Sequence, residues 1–266
     1  MLARGIVLSK KGSTMEKTKQ EQVALSHLDS GFRKLPVGIS SCLMGDSVRY
    51  DGGHKFNSNI QQTLSRYFDF QKFCPEVDIG LTVPRTPIQL LRTQSNRIRC
   101  VAVDDAERDY TDVLIKSADQ QSHWHKKLCA YIFKRGSPSC GVDSVKVHGE
   151  GVPVREGEGV YAARLKENFP YLPVEDEARL ESIECRENFV QRAFVVGRWY
   201  KFVNSGPDLV GMMDFHRKHK PMVLKHDPQG YAELANVLGQ STEDSLEEGA
   251  NTYLQILMQI LELPAK

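Results

Sequence analysis

Pro36-Val-Gly-Ile-Ser40, followed by Ser41-Cys42-Leu43-Met44-Gly45, is the stretch that decides the fold. A short apolar run ending in a Ser-Cys turn reads as a buried strand that delivers a cysteine into a loop. The same signature recurs twice. Phe68-Asp-Phe-Gln-Lys-Phe73 alternates apolar and polar residues, the period of a strand, and stops at Cys74-Pro75-Glu76, where proline ends a central strand. Ala130-Tyr-Ile-Phe133 runs into Lys134-Arg-Gly-Ser-Pro-Ser-Cys140-Gly141. Between these strands, Asn57 or Ser58 caps a helix carrying Ile60, Leu64 and Tyr67/Phe68 on one face, and 111–128 predicts a second helix with Val113, Leu114, Ala118 and Leu128. Asn96 to Val103 reads as a further strand, and 80–98, rich in Thr, Pro, Arg and Gln, as a long functional loop. Residues 143–160 read as a Gly-rich excursion, and 161–181 as a helix plus a final segment.

This rhythm predicts an α/β fold, a mostly parallel sheet with flanking helices in a Rossmann-like three-layer arrangement. After about residue 183 the period becomes helical: Phe189, Ala193, Val196, Tyr200 and Val203 recur together, Asp227-Pro228 caps a later helix, and 242–262 is amphipathic. The expected organisation is a disordered leader at 1–34, an α/β domain at 35–182 and a smaller all-α domain at 183–266.

Composition narrows the class. The chain has 266 residues, 40% of them hydrophobic, enough for a substantial core. Six cysteines are too sparse for a disulfide scaffold, and no apolar run reaches the roughly 20 residues that span a bilayer. Free thiols fit a reducing cytoplasm, and no membrane partner is expected. The net charge of +1 hides a division: 185–225 holds eight Lys or Arg against three Asp or Glu, and 226–266 holds seven acids against one Lys. Two solvated helix faces would explain this. So would a phosphate-facing surface built from Arg198, Lys201, Arg217, Lys218 and Lys220, with His216 and His219 interleaved. Those flanking cations argue against a histidine metal site.

Cys42, Cys74 and Cys140 each follow a strand beside Gly, Pro or Ser. In an open parallel sheet, loops at the carboxyl ends of strands gather at one crevice, so three such thiols can meet. Any one of them alone is better explained as a small buried turn residue; the three together, in the same local context, favour a joint site. Cys100, Cys129 and Cys185 sit in an apolar strand, at a helix–strand junction and near a helix start, and read as packing residues. Paired Cys-x-x-Cys zinc knuckles are absent. A four-iron cluster normally takes four thiolates; with three, one iron stays open and acts as a Lewis acid preferring a soft atom such as sulfur.

The motifs Pro36–Gly45, Val48-Arg-Tyr-Asp-Gly-Gly-His54, Cys74-Pro-Glu-Val-Asp-Ile-Gly80 and Ser137-Pro-Ser-Cys-Gly141 together resemble the thiouracil desulfidase family over roughly residues 36–180. Asp214-Phe-His-Arg-Lys-His-Lys220 and Leu224-Lys-His-Asp-Pro228 resemble the helical domain fused behind its long members, which resemble desulfidases of 4-thiouridine in tRNA. The resemblance implies a 4Fe-4S cluster held by Cys42, Cys74 and Cys140. It also implies a helical domain that continues past Leu263-Pro-Ala-Lys266, so the one here is expected to be shortened. The expected chemistry is hydrolytic exchange of a thiocarbonyl sulfur for oxygen, with a carboxylate activating water. Glu76, two residues from Cys74, is the first candidate base, and Asp51 in the Asp-Gly-Gly-His turn the second. Ser41, Ser137 and Ser139 are candidate hydrogen-bond donors, and His54 a candidate acid or substrate contact. A tRNA base would have to leave its stack at a cost of a few kcal/mol, which phosphate contacts can offset. Desulfidation of a free thiouracil, with the helices serving a homo-oligomer, and a non-catalytic iron–sulfur sensor or electron carrier are the rival expectations.

Overall fold

A computed structural model describes residues 34–262, so the leader expected at 1–34 lies, but for Lys34, outside the described residues. Among the described residues, eight strands form two sheets. The first joins β1 (Leu35–Ser40), β2 (Phe68–Phe73), β5 (Ala130–Phe133) and β8 (Val174–Asp176) in the order β2-β1-β5-β8, every pair parallel. The second joins β3 (Ile88–Arg92), β4 (Ile98–Ala102), β6 (Val145–His148) and β7 (Val154–Gly157) in the order β4-β3-β6-β7, with antiparallel pairs at both edges and a parallel pair between them. The expected α/β class with a largely parallel sheet is present, and the second sheet is an addition to it. Part of the stretch expected to be a long loop at 80–98 is β3, and the Gly-rich excursion at 143–160 contains the β6–β7 hairpin. The exposed pattern of β7, with Val154, Arg155 and Glu156 all facing solvent, removes the apolar alternation that would have marked it.

The helices of this half are α1 (Ser58–Leu64), α2 (Pro75–Asp78), α3 (Thr111–Gln120), α4 (Ser122–His125) and α5 (Val160–Asn168). Asn57 caps α1 by accepting from the Ile60 N–H at 3.0 Å. The helix expected over 111–128 is broken at Gln121 into α3 and α4. Alternation in β5 decides the layers: Tyr131 and Phe133 enter a core with Ala118, Tyr161 and Leu165 from α3 and α5. Gly38 on β1 is a glycine because a Cβ there would lie 2.3 Å from the Tyr131 ring.

Among the described residues every element from Ile183 onward is a helix: α6 (Ile183–Asn204), α7 (Leu209–His226), α8 (Pro228–Gln240) and α9 (Leu246–Glu262). The change of period at about 183 therefore marks a change of secondary structure, yet α6 is packed into the α/β half. Phe189 and Phe194 meet Phe68 and Tyr67 edge to face, the Tyr200 hydroxyl donates to the Leu128 carbonyl at 3.2 Å, and Arg192 makes a buried ion pair with Glu175 at 2.7 Å. No described helix is long and apolar enough to cross a membrane.

Candidate functional site: a cavity walled by three cysteines

β1, β2 and β5 are neighbours in the parallel sheet, so their carboxyl ends open on one edge, where ligands gather in such folds. Ser40 and Phe73, the last residues of β1 and β2, pair in register. Cys42 follows in a tight turn, Ser41–Met44, and Cys74 is the N-cap of α2, with Pro75 in the first helical position. Cys140 lies in the loop after β5. All three line one cavity of about 300 Å³, together with Ser41, Arg49, Glu76, Arg85, Lys134 and Ser137.

The Cys140 loop is built from both ends. Ser137 Oγ accepts from the N–H groups of Ser139 and Cys140 at 3.3 and 3.2 Å. The start of α5 holds the other side: Gly159, Val160 and Tyr161 donate their N–H groups to the carbonyls of Gly141, Pro138 and Ser139 at 2.7–3.0 Å. A helix start leaves such donors unpaired, and the loop supplies the missing acceptors. Gly159 leaves no space for a side chain, since a Cβ would lie 2.6 Å from the backbone nitrogens of Cys140 and Gly141.

Glu76 is fixed on both oxygens. Oε2 accepts from Arg85 Nε and Nη2 at 3.0 and 2.8 Å, and Oε1 accepts from the Ser139 hydroxyl at 2.7 Å. That hydroxyl lies 3.5 Å from the Cys140 sulfur and 3.0 Å from Ser137 Oγ. Arg85 is itself anchored on the Val48 and Thr82 carbonyls. The pair is largely buried, with side-chain exposures of 6% and 15%, so removing one partner would strand the other. Arg49 also lines the cavity, and its Nε is buried and finds no hydrogen-bond acceptor among the described residues; the Asp51 carboxylate stands 3.7 Å off.

The three cavity cysteines are free thiols. Burial, and next the neighbouring Cys74, pushes the Cys42 thiol up to about 11. Burial raises Cys74 and Cys140 as well, with Cys74 adding to the rise at Cys140. Without a cation among them they are protonated at neutral pH; a bound metal would hold them as thiolates and release protons. Among the described residues, no three His, Cys, Asp or Glu come close enough together to hold a single metal ion. Cys42, Cys74 and Cys140 are the soft ligands that line the cavity.

The other expected site residues are placed differently. Asp51 is exposed and closes its turn by accepting from the Gly53 N–H at 3.0 Å, which holds its carboxyl below the usual range. His54 Nδ1 accepts from the Phe56 N–H at 3.2 Å. Neither belongs to the cavity lining. Ser139 reaches the site through Glu76. In the helical half, Arg198 is half-buried and donates to His219 Nε2 at 3.1 Å, so burial rather than solvent sets its surroundings. Arg217 and Lys218 share the Asp214 carboxylate, each at 2.6 Å, and Lys220 lies 5.4 Å over the Tyr231 ring. Lys201 is exposed. Sequence reading missed Arg85, Arg49 and Gly159. Arg49 stands inside a quoted motif and Arg85 inside the Thr/Pro/Arg stretch, but only the folded chain shows what each one faces.

An α/β fold with a cysteine-walled cavity at the carboxyl edge of its parallel sheet defines a thiol-dependent or metal-dependent class of site. Residues 37–177, over half of the chain, match the 2-thiouracil desulfurase family, and the protein belongs to that family. It is 28% identical over 134 residues to the "Uncharacterized protein YbbK" of Bacillus subtilis (strain 168), an alignment covering 48% of this chain and 88% of that relative. It also aligns with the solved structure of the 4Fe-4S-dependent thiouracil desulfidase TudS at 31% identity and a TM-score of 0.45, covering 56% of this chain and 94% of that one. The family match ends before α6, so the four C-terminal helices lie outside it.

Proposed function

We propose that this protein is an iron–sulfur-dependent desulfidase that replaces the sulfur of a thiolated uracil by oxygen, acting on 4-thiouridine in tRNA. The observation that carries the reading is the convergence of Cys42, Cys74 and Cys140 on one cavity that also contains a doubly anchored carboxylate, in a chain of the 2-thiouracil desulfurase family. The reaction is a thiocarbonyl plus water giving a carbonyl plus hydrogen sulfide; atoms balance and no electron donor is needed.

A 4Fe-4S cluster held by the three cysteines would supply an iron without a protein thiolate, a soft Lewis acid for the thiocarbonyl sulfur. The chain's own residues do the rest. Glu76 takes a proton from the attacking water, and its carboxylate is held still for this by Arg85 and Ser139. Arg49 Nε offers its unused N–H to an oxygen of the pyrimidine. Ser137 holds the Cys140 loop and presents its hydroxyl to the cavity. Lys201, Arg217, Lys218 and Lys220 give the helical half an exposed basic segment, where phosphates would compete with Asp214 for Arg217 and Lys218 and with the Tyr231 ring for Lys220.

The experiment is anaerobic reconstitution with iron and sulfide, followed by mass analysis of 4-thiouridine-containing tRNA and of free thiouracil. Exchange of sulfur for oxygen in tRNA is expected. Turnover of the free base alone, indifferent to salt, would replace the tRNA reading with the narrower one. No exchange in either, with the cluster present, would refute the activity.

A further inference from the structure

We propose that the outer face of the β6–β7 hairpin is a phosphate groove, holding the sugar–phosphate part of a thiolated uridine whose base occupies the cysteine cavity. This rests on the reading above that a thiolated uracil enters that cavity. A second concavity of about 530 Å³ shares Arg135, Gly136 and Pro138 with the cysteine cavity, so the two adjoin along the loop after β5.

Its other wall carries an arrangement a sheet ordinarily avoids. Lys146 on β6 and Arg155 on β7 stand directly opposite in the antiparallel ladder, and like charges so placed repel. Val145 and Val147 point into the core, so Lys146 and His148 share the outward face. Among the described residues neither cation has a carboxylate: Lys146 makes no ion pair, and Arg155 donates to the Ser144 carbonyl, at 3.4 Å. Glu177, the acid lining this groove, is occupied by Lys134 Nζ and by the Arg135 N–H at 2.7 Å. Arg135, Lys146 and Arg155 are therefore uncompensated positive charges facing one concavity.

A phosphate matches this set, because it offers several acceptor oxygens and a full negative charge to Arg and Lys donors. The cations of α7 differ: Arg217 and Lys218 already have Asp214, and Lys220 has the Tyr231 ring. The groove and the cavity share Arg135, Gly136 and Pro138, which puts the proposed phosphate on the hairpin side of that shared loop and the base on the cysteine side. The same chemistry serves the 5′-phosphate of a free nucleotide or a phosphodiester of RNA.

The test compares the wild type with Lys146→Glu/Arg155→Glu, and with the milder Lys146→Gln/Arg155→Gln in case reversal disturbs the hairpin. Lys116→Glu on α3 is the control for bulk charge. Substrates are 4-thiouridine, its 5′-monophosphate and an RNA containing 4-thiouridine. For a phosphate-bearing substrate, KM relative to that of the nucleoside should rise about tenfold in the hairpin variants. The log–log salt slope for RNA should fall by about one for each phosphate the hairpin no longer holds. A shift with the monophosphate assigns the groove to the nucleotide's own phosphate; a shift with RNA alone assigns it to a neighbouring phosphodiester. An unchanged ratio for both overturns the groove. Binding of uridine 5′-monophosphate, followed by calorimetry, needs no turnover. Weakening in the variants upholds the groove even if no thiolated substrate reacts, an outcome that would refute only the desulfidase reading. Equal binding overturns the groove.

Discussion

The six cysteines fall into two sets whose difference is one of position in the fold rather than of burial. Cys42, Cys74 and Cys140 are buried or nearly so, yet each borders a cavity at the carboxyl edge of the parallel sheet. Cys100 and Cys129 are equally buried and border only packed side chains: Cys100 joins Leu90, Leu114 and Val147, and Cys129 faces the space that Gly197 keeps open. Cys185 is half-buried in the first turn of α6. The histidines divide in the same way. His125 is fully buried against Tyr161 at 2.8 Å, and His219 bonds the Phe215 carbonyl at 2.7 Å, so both are consumed by packing. Burial alone does not separate the two sets; an open volume shared with like residues does.

The comparison breaks most sharply if the two sets of thiols prove interchangeable. Changing Cys42, Cys74 or Cys140 to Ala should abolish iron retention and turnover together, measured by iron analysis and desulfidation. Cys100→Ala, Cys129→Ala and Cys185→Ala should retain both, with the two buried ones losing about 1 kcal/mol in denaturant unfolding. Glu76→Gln should keep its iron and lose about 10²- to 10⁴-fold in kcat. Asp51→Asn, outside the cavity, should turn over near the wild-type rate; if it fell as far as Glu76→Gln, the assignment of the base would reverse. Arg85→Lys keeps the charge but loses the two-pronged grip on Oε2, so kcat should fall about tenfold with KM and iron content little changed. The smallest effect concerns the packed histidines. Burial holds His125 and His219 down at about 4, below the free value of 6.5. The unfolded chain therefore binds the extra protons first. Stability is fully present above about pH 6.5, falls as pH drops toward 4, and levels below that. Urea unfolding across this range should show the loss in wild type, and less of it in His125→Gln.

Much of the site was legible before folding. Apolar runs ending at Ser41-Cys42, Cys74-Pro75 and the Ser137–Gly141 loop announce three strand ends, and a parallel sheet brings strand ends together. The second sheet was hidden because its edge strand at 154–157 is solvent-exposed and carries no alternation. Arg85 was hidden because its partner Glu76 lies across a loop, and an isolated arginine in Val83-Pro84-Arg85-Thr86 says nothing of what it holds. The basic segment shows the opposite failure. Arg198 reads as a surface cation from composition, but it sits half-buried against His219, while Lys146 and Arg155, unremarkable in sequence, become a charged pair only through strand register.

The central claim is that the three-cysteine cavity exchanges thiocarbonyl sulfur for water oxygen. The direct test is turnover of 4-thiouridine by the anaerobically reconstituted protein in ¹⁸O-labelled water, followed by mass spectrometry of the base. One ¹⁸O atom in place of the sulfur, with an equivalent of sulfide released and no reaction by Cys140→Ala, is the predicted result. A base that keeps its sulfur, or loses it without gaining the label, would contradict the account.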